Sequence, residues 1–453
     1  MKIIKTCNLY LCFIVLGMCV AVPGPTLLDL QHLVHTDTKN IAFIYTARSI
    51  GYLVGSLGGG VLFDLLTRKQ FVLTLFNLAT AVTMLGIPWC RSIVALTAFM
   101  VGNGASLGVL DTGGNVCCLN LWGKDSGPYY QALHFAFGVG GLIAPLIAAP
   151  FLGSYSLGPV DLGGNNNSSN NNLFFINSTQ SLNSNFLNGT FSSVFSKIPT
   201  VTYAYTIIGG IALLVTVLFL LVCIVDPVDA NEQRTEEGQL RNRSVTFTFT
   251  IVFLTLILMF VETGTEIGYA QMLTSYAVKS SLRLSETVGS YMTSTFWAAF
   301  TISRFVSVFL AIKLSSLTLI FADIIITSVG SLILVFLGAS EEWALWLATV
   351  LLGIGIASFF PAAVGWVEQY LTVTNKMAAT FTVGAAFGEM VIPYTISYYI
   401  DEIPEVLLYI VPVSTVLSAI VVFIMYLILR KTQSKYVKDE GTVNPVCTST
   451  VDS

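Results

Sequence analysis

The sequence predicts an all-α membrane protein in which twelve transmembrane helices form two pseudo-symmetric six-helix bundles. Composition is the first observation: 54% of the 453 residues are hydrophobic and only 10% are charged, whereas soluble domains carry about 25% charged residues. The second is that apolar runs of about 20 residues, the length needed to cross a bilayer, recur along the chain. The third is a charged segment near the middle, which separates two halves of about six runs each.

Other functional classes leave no pattern in this sequence. The eight cysteines are scattered, mostly through apolar stretches, and the three histidines lack the spacing of a zinc site. No basic block indicates nucleic acid binding, and no nucleophile–base pair, metal set or phosphate-binding loop indicates an enzyme. We therefore expect a non-enzymatic protein without catalytic residues, bound metal or cofactor, surrounded by the lipid bilayer.

The first apolar run begins at Cys7, behind Lys2 and Lys5, and extends to about residue 28. A cleaved signal peptide is the alternative, but the run is long, is interrupted by Pro23-Gly24-Pro25 and precedes many further spans. We therefore interpret it as a retained helix. Eleven more spans are expected near 41–63, 71–90, 93–119, 128–152, 201–225, 246–272, 287–312, 317–338, 343–367, 377–400 and 404–429.

Positive charges orient the chain, because lysines and arginines accumulate in cytoplasmic loops. With the N-terminus inside, about fourteen of them lie on the cytoplasmic side and about five lie outside. Both termini are then cytoplasmic, and we expect a multi-pass protein of the plasma membrane that acts as a monomer.

The predicted loop 153–200, between the fifth and sixth spans, supports this orientation independently. It is rich in Asn and Ser, a composition typical of disordered segments. Asn-X-Ser/Thr acceptors for glycosylation occur at Asn166, Asn167, Asn177 and Asn188. Glycosylation requires the extracellular or lumenal face, where the charge rule also places this loop.

Domain boundaries follow from the charged segments. We predict an N-terminal bundle over 1–225, a cytoplasmic linker over 226–244, a C-terminal bundle over 245–430 and a cytoplasmic tail over 431–453.

The two halves share a short echo. Phe43-Ile-Tyr-Thr-Ala-Arg48 in the second helix resembles Phe300-Thr-Ile-Ser-Arg304 in the eighth, and each places an arginine inside an apolar span. Two similar halves with a binding site between them are typical of transporters.

The apolar segment from 93 to 121 contains Asp111-Thr-Gly-Gly-Asn115, which we interpret as the centre of the functional site. A charge at the middle of a spanning helix costs about 2.5–3.5 kcal/mol, so Asp111 should face a cavity, a cation or a polar partner. Asn115 lies one helical turn further on the same face. The two glycines allow a neighbouring helix to approach, or the helix to loosen and offer carbonyls. We interpret the motif as a cation site, a proton site or a substrate anchor. The alternative is a hydrogen-bonded cluster between helices that only fixes packing.

A second motif closes the second helix, with the sequence Gly60-Val-Leu-Phe-Asp64-Leu-Leu-Thr-Arg68-Lys69. Asp64 and Arg68, one turn apart, can form a charge pair that breaks and re-forms as helices move. This spacing resembles the signature of the major facilitator superfamily between its second and third helices, although Leu65 and Thr67 depart from the usual basic residue and glycine. A plain charged loop is the alternative.

Longer stretches are similar to one branch of that superfamily, the sodium-dependent glucose transporters of the domain-containing-4 subfamily, which are distantly similar to bacterial fucose permeases. The resemblance covers nearly the whole chain outside the Asn-rich loop and the tails. It implies a twelve-helix fold, alternating access and a sugar as cargo. The matching stretches are Gly24-Pro-Thr-Leu-Leu-Asp29-Leu, Arg48-Ser-Ile-Gly-Tyr52, Asp111-Thr-Gly-Gly-Asn115, Trp122-Gly, Gly127-Pro-Tyr-Tyr-Gln131-Ala-Leu-His134-Phe-Ala-Phe-Gly138, Phe296-Trp297-Ala-Ala-Phe-Thr-Ile-Ser-Arg304-Phe, Ala357-Ser-Phe-Phe-Pro361 and Gly388-Glu389-Met390.

Polar residues at a similar depth extend the candidate cation site. From a rise of 1.5 Å per residue, Asp111 is roughly 10 Å and His134 roughly 9 Å from the inner end of their helices. A carboxylate beside an imidazole is suited to a proton or cation gate. Gln131, nearly a turn below His134, suits a sugar hydroxyl. The alternative for His134 is a core histidine bonded to a backbone carbonyl. The alternative for Gln131 is a hydrogen bond that only joins neighbouring helices.

The second half supplies the other candidate sugar ligands. Glu266 and Tyr269 lie in a polar, unwinding-prone part of the seventh helix, and such groups hydrogen-bond sugar hydroxyls. The resemblance weights Glu266 above Glu262. Trp297, two turns before Arg304, is a candidate to stack on a sugar ring. The alternative for the Glu266 segment is that it only solvates an outer vestibule, and the alternative for Trp297 is simple packing.

Intramembrane charges of opposite sign are expected to pair. Glu389, near the middle of the eleventh helix, is a candidate sugar ligand and a partner for Arg304. Arg48 is expected to partner Asp111 or Asp29. Static structural bridges are the alternative.

Taken together, these residues predict a secondary active transporter that moves glucose or a related hexose by alternating access, with a sodium ion as co-substrate. A proton-coupled or uncoupled carrier of another small polar solute is the alternative within transport. A membrane receptor or scaffold on the same fold is the alternative from another class, although such a protein has little reason to retain buried carboxylates.

Overall fold

The computed structural model describes residues 1–66, 68–122, 126–153, 199–226, 244–371, 375–430 and 432, and the regular elements in these ranges are all helices. The all-α prediction is therefore confirmed for this part of the chain. The four candidate glycosylation asparagines, linker residues 227–243 and tail residues 433–453 lie outside the described residues.

The first half begins with a helix that differs from its predicted bounds. The span expected over 7–28 is instead α1 followed by a turn and the short α2, because the prolines of Pro23-Gly24-Pro25 cannot continue a helix. Asp37 starts α3 by accepting a hydrogen bond from the Asn40 amide at 2.8 Å. The helices are α1 Lys2–Ala21, α2 Leu27–Leu33, α3 Thr38–Ile41, α4 Phe43–Leu65, α5 Lys69–Gly86, α6 Ile93–Trp122, α7 Ser126–Ala148 and α8 Val201–Val225, with 3-10 turns at Ile87–Trp89 and Ala149–Phe151.

The second half corrects two further expectations. The helix expected to unwind near Glu266 is continuous over 35 residues. The span predicted at 343–367 is interrupted at Ser358, so it consists of two helices. Ser285 and Ser315 start their helices as N-caps. The helices are α9 Val245–Lys279, α10 Glu286–Lys313, α11 Ser316–Leu337, α12 Glu342–Ala357, α13 Phe359–Glu368, α14 Asn375–Tyr399 and α15 Val406–Leu429.

Within the described part of the chain, ten helical segments are long and apolar enough to cross a membrane. The helices α4 and α14 are of similar length but are not among them. They are less apolar because α4 contains Arg48 and five glycines and α14 contains Glu389. The total of twelve spans thus stays a prediction.

Glycines bring helices into backbone contact in both halves. In the first half, a Cβ at Gly55 would overlap the Ala105 carbonyl oxygen where α4 crosses α6. In the second half, a Cβ at Gly388 would overlap the Phe260 carbonyl oxygen where α14 crosses α9. Close approach through small residues is how membrane helices associate without a hydrophobic driving force between them. The α4–α6 contact fixes the position of the candidate cation site.

We expect Gly55→Ala to destabilise the protein by about 1–3 kcal/mol, the usual cost of overpacking, because its methyl group meets backbone that cannot move aside. The matched control is Gly58→Ala on the same helix, where no described atom beyond the local helix backbone lies within 4 Å of the added methyl group. Alanine favours a helix over glycine by up to about 1 kcal/mol, so the control should be neutral or stabilising. The midpoint of thermal unfolding in detergent distinguishes the two variants, and equal midpoints would contradict the packing described here.

Candidate functional site

A cavity of about 280 Å³ lies between the two halves at the centre of the molecule. The first half lines it with α1, α4, α6 and α7, and the second half with α9, α10, α13 and α14. Its charged or strongly polar lining residues are Arg48, Asp111, Asn115, His134, Glu266, Arg304 and Glu389. Most of the residues singled out from the sequence therefore share one cavity.

Asp111 faces this cavity with both carboxylate oxygens hydrogen-bonded. The Tyr52 hydroxyl donates to Oδ2 at 2.6 Å, and Asn115 Nδ2 donates to Oδ1 at 3.3 Å. Asn115 is thus on the same face as Asp111, as the helical spacing predicts. Its own oxygen, Oδ1, is buried without a hydrogen-bond partner among the described residues. A carboxylate and an unsatisfied amide oxygen side by side form a pair of oxygen ligands suited to a hard cation.

The glycines between these two residues serve packing. A Cβ at Gly113 would overlap the Phe63 ring, and one at Gly114 would overlap the Phe13 ring. Because α6 is helical through this motif, the structure supports glycines that let neighbouring side chains approach the helix closely. A loosened helix with free carbonyls is not observed here.

His134 lines the cavity but does not hydrogen-bond to Asp111 in the described structure. Its ring makes edge contacts with Phe13 and Tyr130, at centroid distances of 6.0 and 4.8 Å. The positive charge of Arg304 is close enough to repel a protonated His134 ring. A carboxylate–imidazole contact is therefore absent in this conformation, although both groups open onto the same cavity.

The arginines pair differently from the sequence-based expectation. Arg48 interacts with Glu389 across the cavity, not with Asp111 or Asp29, and also donates from Nη1 to the Val20 carbonyl oxygen at 3.1 Å. The two charges interact through space, since no direct ion pair joins them in the described structure.

Arg304 interacts with Glu266 of its own half, not with Glu389 as expected. Its guanidinium carbon lies 4.7 Å from the centroid of the Phe300 ring, and its Nε donates to the Ala357 carbonyl oxygen. Each arginine thus interacts through space with its own carboxylate, Arg48 across the halves and Arg304 within the second half.

Trp297 and Tyr269 do not line the central cavity. Trp297 is 1% exposed and packs edge-on against Phe296, Phe300 and Phe137. The Tyr269 hydroxyl is hydrogen-bonded to Thr349 at 2.8 Å. Both residues contribute to the aromatic packing of the second half, so stacking on a sugar would require a different arrangement.

Three other expectations fall on positions where the structure describes little. The side chains of Gln131 and Asp64 lie outside the described structure, although their backbones belong to α7 and α4. Arg68 is exposed between α4 and α5. The roles predicted for these residues stay predictions.

Sequence reasoning missed several residues that the structure brings into prominence. Tyr52, which binds Asp111, lies one turn after Arg48 and could have been found from that spacing. Tyr130 lines the cavity as well. Asp323, a lone acid in the ninth apolar span, is buried away from this cavity and accepts a hydrogen bond from the Ser358 hydroxyl at 2.6 Å.

Charged residues join the two halves at the end that carries α2 and α3, which the charge rule places outside and which is called the outer end. Lys39 Nζ lies 2.7 Å from Glu402 Oε1. Lys279 of the second half donates to Thr38 Oγ1 at 2.7 Å and is also paired with Asp401. These contacts cross from α3 to α9 and to the turn after α14.

Hydroxyl groups add a second layer of contacts just below. Ser290 Oγ donates to the Pro145 carbonyl oxygen at 2.7 Å, connecting α10 to α7. Ser397 Oγ donates to the Thr38 carbonyl oxygen at 3.2 Å, connecting α14 to α3. Among the described residues, the hydrogen bonds between the halves therefore lie toward the outer end.

The buried apolar core follows the same pattern. One cluster fills the first half and continues into the outer part of the second half, where it includes Tyr276, Phe296 and Leu408. A separate cluster that includes Met259, Trp366 and Met425 fills the opposite part of the second half. The halves thus share a core at the outer end and not at the other end, in the part of the chain that the structure describes.

Comparison with known proteins identifies relatives over nearly the full chain. Sodium-dependent glucose transporter 1 of Danio rerio is 34% identical over 436 residues, covering 92% of this chain and 69% of that protein. Sodium-dependent glucose transporter 1A of Mus musculus is 34% identical over 427 residues, covering 92% and 95%. No family model matches the chain.

Solved structures share the fold at low sequence identity. A bacterial homologue of the human lysosomal transporter Spinster, in an inward-facing and occupied conformation, superposes with a TM-score of 0.66 at 12% identity, covering 95% of this chain and 98% of that one. The xylose transporter XylE from E. coli, in a partially occluded inward-open conformation, gives a TM-score of 0.66 at 11% identity, covering 94% and 99%.

Proposed function

Because the chain belongs to the sodium-dependent glucose transporter family of the major facilitator superfamily, we propose that it moves glucose or a related hexose by secondary active transport coupled to sodium. The protein is a multi-pass membrane transporter, not an enzyme. The observation that carries the proposed coupling is the central cavity, where Asp111 and Asn115 of the first half face Glu266 and Glu389 of the second.

Asp111 and Asn115 are the proposed ligands of the sodium ion. A bound cation would offset the cost of the intramembrane charge at Asp111. The unpartnered Asn115 Oδ1 would gain the electrostatic partner that it lacks in the described structure. Ion binding on one side of the cavity then favours the conformation that also binds sugar, which is the differential affinity that coupling requires.

Glu266 and Glu389 are the proposed sugar ligands. Their carboxylates accept hydrogen bonds from sugar hydroxyls, while Tyr130 and Phe137 offer aromatic faces from the first half of the cavity. Trp297 and Tyr269, predicted from sequence for this purpose, are not used in the proposal because they lie outside the cavity lining. The sugar site is thus shared by the two halves, so that its occupancy depends on their relative position.

The proposed cycle exposes this cavity to one side at a time. Contacts between the halves are concentrated at the outer end, so the conformation described here is proposed to be closed outside and to open inward. The through-space interaction between Arg48 and Glu389 crosses the halves and would change as they rock. Such rocking around a fixed central site is how transporters with internal repeats achieve alternating access.

Uptake into proteoliposomes tests the proposal. We expect radiolabelled D-glucose to accumulate above its external concentration under an inward sodium gradient, and to equilibrate when a sodium ionophore removes that gradient. L-glucose and protein-free liposomes are the controls. Accumulation that follows an imposed proton gradient instead would replace the ion, and equilibration without accumulation under either gradient would identify an uncoupled carrier.

A further inference from the structure

A pair of buried carboxyl groups, Asp29 and Glu286, lies at the outer end and away from the central cavity. Asp29 belongs to α2 of the first half, and Glu286 is the first residue of α10 of the second half. Both residues are only 4% exposed. The two carboxyls interact directly with each other, so the pair exists only while the halves are closed at this end.

The pair has fewer hydrogen bonds than two buried carboxylates require. Asp29 Oδ1 accepts a hydrogen bond from the Gly153 amide at 3.1 Å. Asp29 Oδ2 and both carboxyl oxygens of Glu286 are buried without a hydrogen-bond donor in the described structure. An unsatisfied buried acceptor costs about 1–3 kcal/mol, and more when it is charged. Three unsatisfied oxygens in one buried pair therefore indicate a partner outside the described residues.

The described groups around the pair do not supply a compensating positive charge. Tyr205 of α8 faces Asp29, and it is neutral at physiological pH. His32, one turn along α2, lies near Lys279, which is itself paired with Asp401. Within the described part of the chain, no cation is among the groups that act on Asp29 or Glu286.

We propose that Asp29 and Glu286 form a proton-binding site at the extracellular closure, in which the two carboxyls share one proton while the halves are closed and release it to the outside when they part. This site is separate from the proposed sodium site at Asp111. It depends on the protein being a transporter with an outer closure, but not on the identity of the sugar or of the coupling ion.

The chemistry of the site favours a bound proton. Two carboxylates that share a buried position cannot both ionise at normal cost, and the usual result is one bound proton. The first turn of α10 favours a negative charge at Glu286, which is consistent with one shared proton and not two.

The direction of the pH effect follows from the environment of Asp29, which lies beyond the end of the spanning helix α1. Burial raises the pKa of Asp29 from its ordinary 3.8 to about 6, against a smaller opposing effect of its hydrogen bond from Gly153. In an open, hydrated state the pKa returns toward its ordinary value. The closed state is therefore favoured most below about pH 4 and loses that advantage as the pH rises through about 6.

Spin labels at the outer ends of the two halves measure this closure directly. Ser92 and Ser340, both exposed at the outer end, are replaced by cysteine, and Cys7, Cys90 and Cys447 by serine. In the full-length protein without sugar or sodium, we expect the ratio of short to long distances to fall at least tenfold between pH 4 and pH 8. A tenfold change corresponds to a difference of one pKa unit between the closed and open states.

Glu286→Gln is expected to abolish this pH dependence and to keep the short distance at every pH, because its amide can donate to Asp29 as a protonated carboxyl does. Asp29→Asn should act in the same way, which keeps the test valid if one variant folds poorly. The matched control is Glu342→Gln, since Glu342 also begins a helix at the outer end but is exposed.

Three results would overturn the proposal: distances that do not depend on pH, a pH dependence that survives both neutral variants, and closure at pH 8 that is restored by sodium. These readouts do not involve sugar uptake. Loss of the proposed sugar transport would leave this inference intact, and loss of the pH-dependent closure would leave the proposed function intact.

Discussion

Asp111→Asn is expected to abolish sodium-driven accumulation of sugar while leaving sugar exchange across the membrane measurable. Asparagine keeps the shape of the side chain and can still accept the Tyr52 hydrogen bond, but it brings no negative charge to the cavity. A tenfold sodium gradient with one-to-one coupling stores about 1.4 kcal/mol, which sustains about tenfold accumulation. The variant should reach a ratio of about one.

Two assays separate coupling from binding in this variant. Counterflow of radiolabelled sugar in equal sodium on both sides reports binding and rocking of the halves, and it should persist. Uptake under a sodium gradient reports coupling, and it should lose its dependence on sodium concentration. Unchanged accumulation in Asp111→Asn would exclude the residue from ion coupling.

The control for this experiment is Asp323→Asn. Asp323 is also a buried acid in the membrane, but it lies outside the central cavity and is hydrogen-bonded to Ser358 within the second half. If loss of any buried acid impaired coupling through general destabilisation, both variants should fail alike. We expect coupling to be retained in Asp323→Asn.

The sequence was sufficient to place Asp111 and Asn115 on one face, because helical geometry relates positions within a single helix. Asp111 also had to face a cavity or a partner on energetic grounds, since lipid exposure of its charge is costly. The same reasoning correctly directed Arg48, His134, Glu266, Arg304 and Glu389 to the interior.

Relations between helices were not accessible in this way. Trp297 lies two turns before Arg304, so both were expected to face the same cavity. The structure places Trp297 where α10 packs against α7, with its ring close to Gly141, and only Arg304 reaches the cavity. A helix that crosses its neighbours at an angle contacts different surroundings along one face, and the crossing angle depends on packing at positions such as Gly353.

The prediction of charge partners for the arginines was wrong for a related reason. Each buried arginine could satisfy any carboxylate within reach, and the choice depends on how the two halves are placed. Arg48 interacts with Glu389 because the outer closure brings α4 beside α14, with Thr46 Oγ1 donating to the Met390 carbonyl oxygen at 3.4 Å. The pairing is thus a property of this conformation and not of the local sequence.

Arg48→Gln is expected to lower the thermal stability of the protein and to reduce uptake at least a hundredfold. Arg48 is 5% exposed, and its removal leaves Glu389 without its cation and the Val20 carbonyl oxygen without its donor. Breaking a buried pair on one side costs about 3–5 kcal/mol, an upper bound here because these two charges do not touch and share a cavity. Glu389→Gln should lower the thermal stability less, since Arg48 keeps its hydrogen bond to the Val20 carbonyl oxygen.

The double variant Arg48→Gln/Glu389→Gln distinguishes a structural role from a transport role for this pair. Removing both charges eliminates the uncompensated carboxylate, so unfolding temperature should recover toward that of the unchanged protein, as neutral replacement of buried pairs often permits. Uptake should not recover, because the proposed sugar ligand Glu389 is still missing.

Glu402→Gln is the matched control: its carboxylate is 65% exposed and its pair with Lys39 contributes at most about 1 kcal/mol, so stability should hardly change. Recovery of both stability and uptake in the double variant would show that Arg48 and Glu389 only hold the two halves together and take no part in binding the cargo.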